Sequence, residues 1–252
     1  MKVTVKAMVA SFMLGTLLFG VFIFITIGVN HTSASNAGFL VSLAVIFVPL
    51  IYSILVKRLP SWKIRIGLII SLTGIGLLTL NATLSINPGD PLCIIGALCY
   101  ASHIILTGKL TKENDSVTIG IFQLGFAGIL ALICSIFFEN PSLPSTLNAW
   151  VAILGLGILC SAVGFICQAV AQKYTTPTLT GLIFALEPVS AVVFAVLFLR
   201  EPFTLKDFIG CCLVLFGILI TQIDKKSLLK IKSKIKLLGA QRQRFTVDEK
   251  RH

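Results

Sequence analysis

Two stretches of this sequence repeat the same pattern of glycines and aliphatic residues: Ile66-Gly-Leu-Ile-Ile-Ser-Leu-Thr-Gly-Ile75 and Ile209-Gly-Cys-Cys-Leu-Val-Leu-Phe-Gly-Ile218. Their offset of 143 positions aligns residues 32–79 with 175–222 without a gap. Two apolar helices give chance matches of leucine and isoleucine, but a shared register of glycines and a loop lysine is harder to obtain. The further identical pairs include Thr32 and Thr175, Gly38 and Gly181, Leu43 and Leu186, and Lys63 and Lys206. We therefore interpret the two segments as copies of an internal repeat.

The composition is that of a membrane protein. Of the 252 residues 56% are hydrophobic and only 12% are charged, and the mean hydropathy is +0.97, which the surface of a soluble domain could not carry. Crossing the hydrocarbon core as a helix takes about 20 apolar residues. Leucine, isoleucine and glycine dominate without strict alternation, which favours helices over a barrel. The sequence predicts an all-α polytopic bundle of about eight transmembrane helices, at residues 7–28, 36–56, 64–83, 91–110, 117–138, 150–171, 179–199 and 205–223.

Basic residues lie mostly on one side of the predicted bundle. An even number of spans places both termini on the same side, and all but two of the 21 lysines and arginines, Arg200 and Lys206, fall there. The positive-inside rule then predicts a multi-pass cell-membrane protein with cytoplasmic termini. Topology accounts for this basic excess, so we predict no nucleic-acid partner. The tail from Lys225 is either an interfacial helix on anionic lipid or a solvated basic segment.

The two copies of the repeat cross the membrane in opposite directions, because five spans, an odd number, separate their equivalent helices. Inverted repeats are typical of secondary transporters, since two similar halves around one central site can exchange inward-open and outward-open shapes. The copies are unequal. We predict a shortened first repeat of three helices at 1–83, a second repeat of five helices at 84–224, and a basic tail at 225–252. Two N-terminal spans are expected to be missing from the first copy.

Six segments of the chain together carry a resemblance to a known family: Thr32–Leu40, Phe47–Leu50, Gly89-Asp90, His103–Gly108, Leu186–Val189 and Arg200–Pro202. As a set they resemble the EamA-type transporters of the drug/metabolite transporter superfamily. The chain is similar to that family from its start to about residue 224, and the resemblance implies ten helices in two inverted five-helix halves around a central cavity for small metabolites. This chain is similar to helices three to ten of that plan. The family often has a glutamine in its third helix where this chain has Ile25.

Glu187 is the leading candidate for a substrate or proton site. It is the ninth residue of its predicted span, roughly 13 Å in at 1.5 Å per residue, so it lies near mid-membrane. A carboxyl group is costly there and marks function by default. Pro188 cannot donate a hydrogen bond, which leaves the carbonyl of Phe184 available to a substrate or cation. The alternative is a neutral Glu187, or one that caps a neighbouring helix.

Other polar residues inside the spans are candidates for the cavity lining. Tyr100, His103 and Thr107 follow one another at helical spacing and predict a polar face on one helix. Gln168 pairs with Ile25 through the repeat, and Gln123 is the lone amide of its span. For each of them the alternative is a hydrogen bond between helices worth about 0.6 kcal/mol. Gly38, Gly67, Gly74 and their repeat partners are predicted to allow close helix packing.

The sequence favours a secondary transporter, an exporter of small metabolites or drugs, over an enzyme. It has no paired intramembrane aspartates, no metal-binding motif and no phosphate loop, so we predict no catalytic residue, metal or cofactor. The seven cysteines lie in apolar spans and are interpreted as small hydrophobes. Two alternatives stay open: a shortened protein that does not transport or that works with a partner chain, and a lipid-headgroup flippase of the same superfamily. Homo- and hetero-oligomers are both compatible with the sequence.

Overall fold

The structure is a computed structural model that describes residues 3–80, 87–139, 141, 143–200 and 202–222. Every regular element in these ranges is helical, which confirms the predicted fold class. Residues 155–163 and 195–199 are wound as π-helix. The α-helices are α1 (Val5–Val29), α2 (Ala34–Ser42), α3 (Ala44–Val56), α4 (Trp62–Thr79), α5 (Asp90–Glu113), α6 (Ser116–Phe138), α7 (Leu147–Leu154), α8 (Gly164–Gln172), α9 (Pro177–Phe184), α10 (Glu187–Phe194) and α11 (Leu205–Gln222).

Seven helical spans among the described residues are long and apolar enough to cross a membrane. They correspond to the first seven predicted spans. The eighth prediction coincides with α11, an 18-residue helix that lies outside that set of seven. The basic tail at 225–252, on which the prediction of anionic lipid binding rests, lies outside the described residues, as does the boundary predicted at 83–84.

Two predicted spans are each interrupted within their length. The first is interrupted at Leu43, between α2 and α3, and the second at residues 185–186, between α9 and α10. Pro188 explains the second break, because it has no N–H to donate to the preceding turn. The first break has no proline at the equivalent position, Val45, although Pro49 follows one turn later inside α3. Each interruption covers only one or two residues, and both segments remain long and apolar enough to cross a membrane as single spans.

The helix bounds follow the 143-residue offset closely. The offset carries α2 onto α9, α3 onto α10 with its π-helical extension, and α4 onto α11. It also carries α1 onto the long span from Leu147 to Gln172. Both broken spans are broken at equivalent positions. Among the described residues, α5 and α6 have no counterparts in the first copy.

The contact between α4 and α11 is the most extensive between any two of the described helices, and glycines make it possible. A Cβ on Gly74 would lie 2.7 Å from the carbonyl oxygen of Gly210, and one on Gly67 would lie 2.5 Å from that of Gly217. Under the 143-residue offset Gly74 corresponds to Gly217 and Gly67 to Gly210, so each of the two contacts is the repeat equivalent of the other. The two helices therefore cross antiparallel and are related by a local two-fold axis. Four of the six glycines predicted to pack closely do so here. Gly181 packs on Val48, whereas a Cβ added to Gly38 would have no atom of another described helix within 4 Å, because Gly38 borders a cavity instead.

The long helix α5 occupies the centre of the bundle. It packs against α1, α2, α3, α8 and α9, and α6 covers α1 on the opposite side. An apolar cluster of Val48, Ala101, Ile104 and Ile105 joins α3 to α5. By contrast, none of the residues in α7, in the π-helical segment 155–163 or in α10, all of which the structure describes, is buried. Large apolar side chains on these segments, including Leu159 and Phe194, face the surroundings, as lipid-facing residues do.

Hydrogen bonds mark the two ends of the bundle. At one end, named here the Asp90 end, the carboxylate of Asp90 accepts from the Thr32 hydroxyl at 2.6 Å, the Asn36 amide at 2.9 Å and the backbone N–H of Asn87 at 2.9 Å. This cluster ties the start of α5 to the end of α1 and the start of α2. The opposite end, the Asp115 end, is marked by the cap of α6. There, backbone and hydroxyl hydrogen bonds from Thr118 lower the pKa of Asp115.

We expect Asp90→Ala to destabilise the bundle by about 2–3 kcal/mol, because it removes charge-assisted bonds from three donors. Thermal unfolding of the purified protein in mild detergent would show the loss. Asp115→Ala is a suitable comparison, since Asp115 caps only its own helix and the loss of a single half-buried helix cap has a smaller effect. An equal effect of the two substitutions would contradict a role for Asp90 in joining helices.

Candidate functional site

Three cavities meet at Glu187. The first has a volume of about 480 Å³ and lies between α1, α2 and α5, toward the Asp90 end. The second, about 390 Å³, lies between α8 with its preceding π-helical segment and α9–α10. The third, about 230 Å³, lies against α4. Glu187 borders all three, and its side chain is exposed to them.

The broken helices position this carboxylate. Glu187 is the first residue of α10, so it lies at a helix N-terminus, where the unpaired N–H groups and the helix dipole favour negative charge. Phe184, the last residue of α9, borders the first and second cavities. On the other repeat, Ser42 and Ala44 flank the break at Leu43 and border the first cavity. The two breaks therefore lie at the same central space, as in transporters with discontinuous helices.

The structure brings three of the predicted site residues together. Tyr100, Gln168 and Glu187 all border the second cavity, and Tyr100 also borders the first. The Tyr100 ring packs on Phe184 with the ring centroids 5.6 Å apart. The Nε2 atom of Gln168 is buried and has no hydrogen-bond partner among the described residues. A phenol, an amide and a carboxyl group thus border one space whose walls are mainly apolar.

His103 and Gln123 lie one layer behind the cavity wall. His103 Nε2 and Gln123 Oε1 are 3.0 Å apart, and both side chains are fully buried. The His103 ring packs edge-on against Phe165, which itself borders the first cavity. Neither residue lies on the cavity wall. Instead, the hydrogen bond between them joins α5 to α6. The predicted alternative, a hydrogen bond between helices, describes this contact.

Thr107 and Gln172 are buried near the Asp115 end. The Thr107 hydroxyl and both polar atoms of the Gln172 amide have no partner within the described ranges. Neither residue borders the cavities at Glu187. The predicted polar face of α5 therefore divides along its length, because Tyr100 reaches the central space, His103 pairs with α6, and Thr107 lies deeper toward the Asp115 end.

We expect Gln123→Leu to destabilise the protein by about 1–3 kcal/mol, because it leaves the buried His103 ring without a partner. The double variant His103→Leu/Gln123→Leu should recover most of this loss, since replacing both members of a buried pair can be nearly neutral. Thermal unfolding of the single and double variants measures the coupling. A double variant that is stable but transport-deficient would instead support a substrate role for the pair.

Two hydroxyl groups at the site carry no distinctive signal in the sequence. Ser42 borders the first and third cavities, and Ser190, one turn after Glu187, borders the second. Serines are common in membrane helices, so type and spacing alone did not single them out. Ser42 could be recognised only once the break at Leu43 was known. Ser190 lies one helical turn after Glu187, so the position of Glu187 would have indicated it.

A separate space lies on the other side of the apolar cluster. It has a volume of about 710 Å³ and is bordered by α1, α3 and α5 toward the Asp115 end. Ile104 and Phe184 face the first cavity, whereas Ile105 and Tyr52 face this separate space. The cluster of Val48, Ala101, Ile104 and Ile105 thus separates the cavities at Glu187 from the Asp115 end.

Comparison with known proteins identifies relatives across most of the chain. The family model described as "EamA-like transporter family" matches residues 87–223. An uncharacterized transporter of Clostridium kluyveri is 26% identical over 207 residues, which are 79% of this chain and 66% of the relative. The uncharacterized transporter YetK of Bacillus subtilis is 25% identical over 220 residues, 82% of this chain and 66% of the relative. The chain therefore spans slightly less than two thirds of the length of these curated relatives.

A solved crystal structure shares the fold. Its TM-score to this chain is 0.72, and the superposition covers 88% of each chain at 19% sequence identity. At that identity the likeness concerns the arrangement of the helices alone.

Proposed function

This chain belongs to the EamA-like transporter family, and on that premise we propose that it is a secondary transporter that exports small metabolites or drugs by alternating access. The observation that carries the proposal is the position of Glu187. The carboxylate lies at the break of one inverted repeat, where three cavities meet and where the break of the other repeat also lies. Inverted repeats around such a central site can alternate between two openings.

The chemistry of the walls supports a small, mainly apolar cargo with one polar or cationic group. Glu187, Tyr100 and Gln168 offer a carboxyl, a phenol and an amide, while Phe22, Phe165 and Phe184 supply aromatic surface. A cavity of about 480 Å³ is within the range that holds drug-sized molecules. A carboxyl group there can also bind and release a proton, which would couple export to a proton gradient.

The cavities also support an arrangement for alternating access. The first cavity extends toward the Asp90 end, and the apolar cluster around Ile104 closes the path to the Asp115 end. We propose that the Asp115 end, which holds the start of α1 and the lysines near the end of α5, is cytoplasmic. On that assignment the site is open outward, and export requires the apolar cluster to separate when cargo enters from the cell.

Metabolite profiling tests the proposed export directly. Cells that express this chain and cells that carry an empty vector are grown alike, and small molecules are measured in the medium and cytosol. A compound that accumulates in the medium only when the chain is expressed supports export and identifies the cargo. Identical profiles, with membrane expression confirmed by immunoblotting, would contradict it.

A second candidate function is transport that depends on a partner chain. The observation that favours it is the uncovered face of α7, the π-helical segment 155–163 and α10, none of which buries a residue although each is fully described. The 143-residue offset aligns α7 and the π-helical segment with α1, and α10 with α3. In the first copy, α5 packs on α1 and α3, whereas the equivalent surface of the second copy buries no residue. Transport in intact cells that disappears when the purified chain is reconstituted alone would favour this candidate, whereas transport by the pure chain would exclude it.

A further inference from the structure

The space of about 710 Å³ near the Asp115 end is a slot with a graded polarity. It follows α5 from Ser102 to Glu113, eleven positions or roughly 16 Å along a helix at 1.5 Å per residue. The deep part is lined by Leu17, Ile105 and Leu106. At the shallow end the only charged residues that border the slot, among those described, are Lys109, Lys112 and Glu113.

The two lysines lie on the same face of α5. Residues three positions apart are neighbours on a helix surface, so Lys109 and Lys112 present their ammonium groups together. Both side chains are exposed. Glu113 offsets one of the two charges, but Lys57 and Arg58 follow directly after Val56, which borders the same mouth. The mouth is therefore positively charged in total, and it lies at the ends of the predicted spans 36–56 and 91–110.

The slot is apart from the site at Glu187. No residue borders both the slot and any of the three cavities at Glu187 within the described part of the chain. The cluster of Val48, Ala101 and Ile104 fills the space between them. A molecule in the slot would thus contact neither Glu187 nor Gln168, and the two sites can be tested separately.

We propose that this slot binds an anionic phospholipid, with an acyl chain along the apolar part and the phosphate group between Lys109 and Lys112. A lipid in the adjoining leaflet has its acyl chains deep in the membrane and its headgroup at the interface. The slot has the matching arrangement, since its apolar part is deep and its cations are at the interface. Basic pockets between transmembrane helices are suited to anionic headgroups. Tyr52, which also borders the slot, supplies the amphipathic ring that is common at this depth. A free soluble anion would leave the apolar walls unused.

Binding can be measured with spin-labelled phosphatidylglycerol and phosphatidylcholine on the purified full chain in vesicles of phosphatidylcholine. We expect the unmodified chain to prefer phosphatidylglycerol. In Lys109→Gln/Lys112→Gln the preference should fall about 30-fold, or roughly five-fold per lysine. The matched control is Lys6→Gln/Lys173→Gln, which removes two exposed lysines that do not border the slot and should leave the preference unchanged.

Further comparisons separate a lipid from other occupants. Ser102→Phe should fill the deep end of the slot and weaken binding of long-chain phosphatidylglycerol without changing that of its dihexanoyl analogue. Thermal unfolding of each variant in detergent establishes that it is folded. Equal binding of the two lipids by the unmodified chain would overturn the proposal, as would an unchanged preference in the double variant. Full competition by inorganic phosphate would also overturn it, because the occupant would then be a free anion.

Discussion

Glu187→Gln is expected to reduce pH-dependent transport by this chain to the level of an empty vector while leaving the helix bundle folded. The substitution nearly preserves the shape of the side chain but removes both its negative charge and its ability to exchange a proton. Because Glu187 is exposed to three cavities rather than packed in the core, little stability depends on it. The measurement is uptake of the identified cargo into inside-out vesicles at several pH values.

The matched control for this experiment is Glu139→Gln. Glu139 is an exposed carboxylate at the end of α6, and its side chain accepts a hydrogen bond from Ser135 at 2.8 Å. It borders none of the cavities at Glu187, so its replacement should leave uptake unchanged. If Glu187→Gln transported like the unmodified chain at every pH, Glu187 could not be the proton or substrate group. Loss of uptake in both variants would indicate a general effect of charge.

Gly74→Val is expected to produce the largest loss of stability. Its Cβ would lie 2.7 Å from the Gly210 carbonyl oxygen and 2.8 Å from the backbone nitrogen of Val214, so α4 and α11 would have to move apart. Overpacking of this kind costs about 1–3 kcal/mol or more. A cost of about 3 kcal/mol corresponds to a fall of roughly 6–12 °C in unfolding temperature for a protein of this size. Gly217→Val should lower the unfolding temperature by a similar amount, because Gly217 is the repeat equivalent of Gly74.

The comparison for the glycine substitutions is Gly125→Val on α6. A Cβ added there has no heavy atom of another described helix within 4 Å, so the same change of residue should leave the unfolding temperature nearly unchanged. Fluorescence-detected thermal unfolding of the purified proteins distinguishes the two positions. Equal stability of Gly74→Val and Gly125→Val would contradict close packing at the α4–α11 crossing.

Hydropathy alone was enough to predict the approximate limits of the seven spans that are long and apolar enough to cross a membrane. A bilayer accepts only segments whose backbone is internally hydrogen-bonded and whose side chains are apolar, so an apolar stretch of the right length locates each span directly. The repeat was also visible, because glycines at a helix crossing cannot be replaced without separating the helices. Gly67 and Gly74 align with Gly210 and Gly217, and these four residues form the crossing. Glu187 was identifiable for a related reason, since a carboxylate in an apolar span is costly.

The way these residues combine depends on contacts between helices, which the sequence pattern does not reveal. Helical spacing indicates which face of a helix a residue occupies, but it does not identify the helix opposite. Tyr100 and His103 share a face of α5, yet Tyr100 reaches the cavity at Glu187 and His103 pairs with Gln123 on α6. The break at Leu43 has no proline at the position equivalent to Pro188, so the sequence pattern does not reveal it. Local sequence thus fixes each helix, while the contacts between helices determine which polar groups meet.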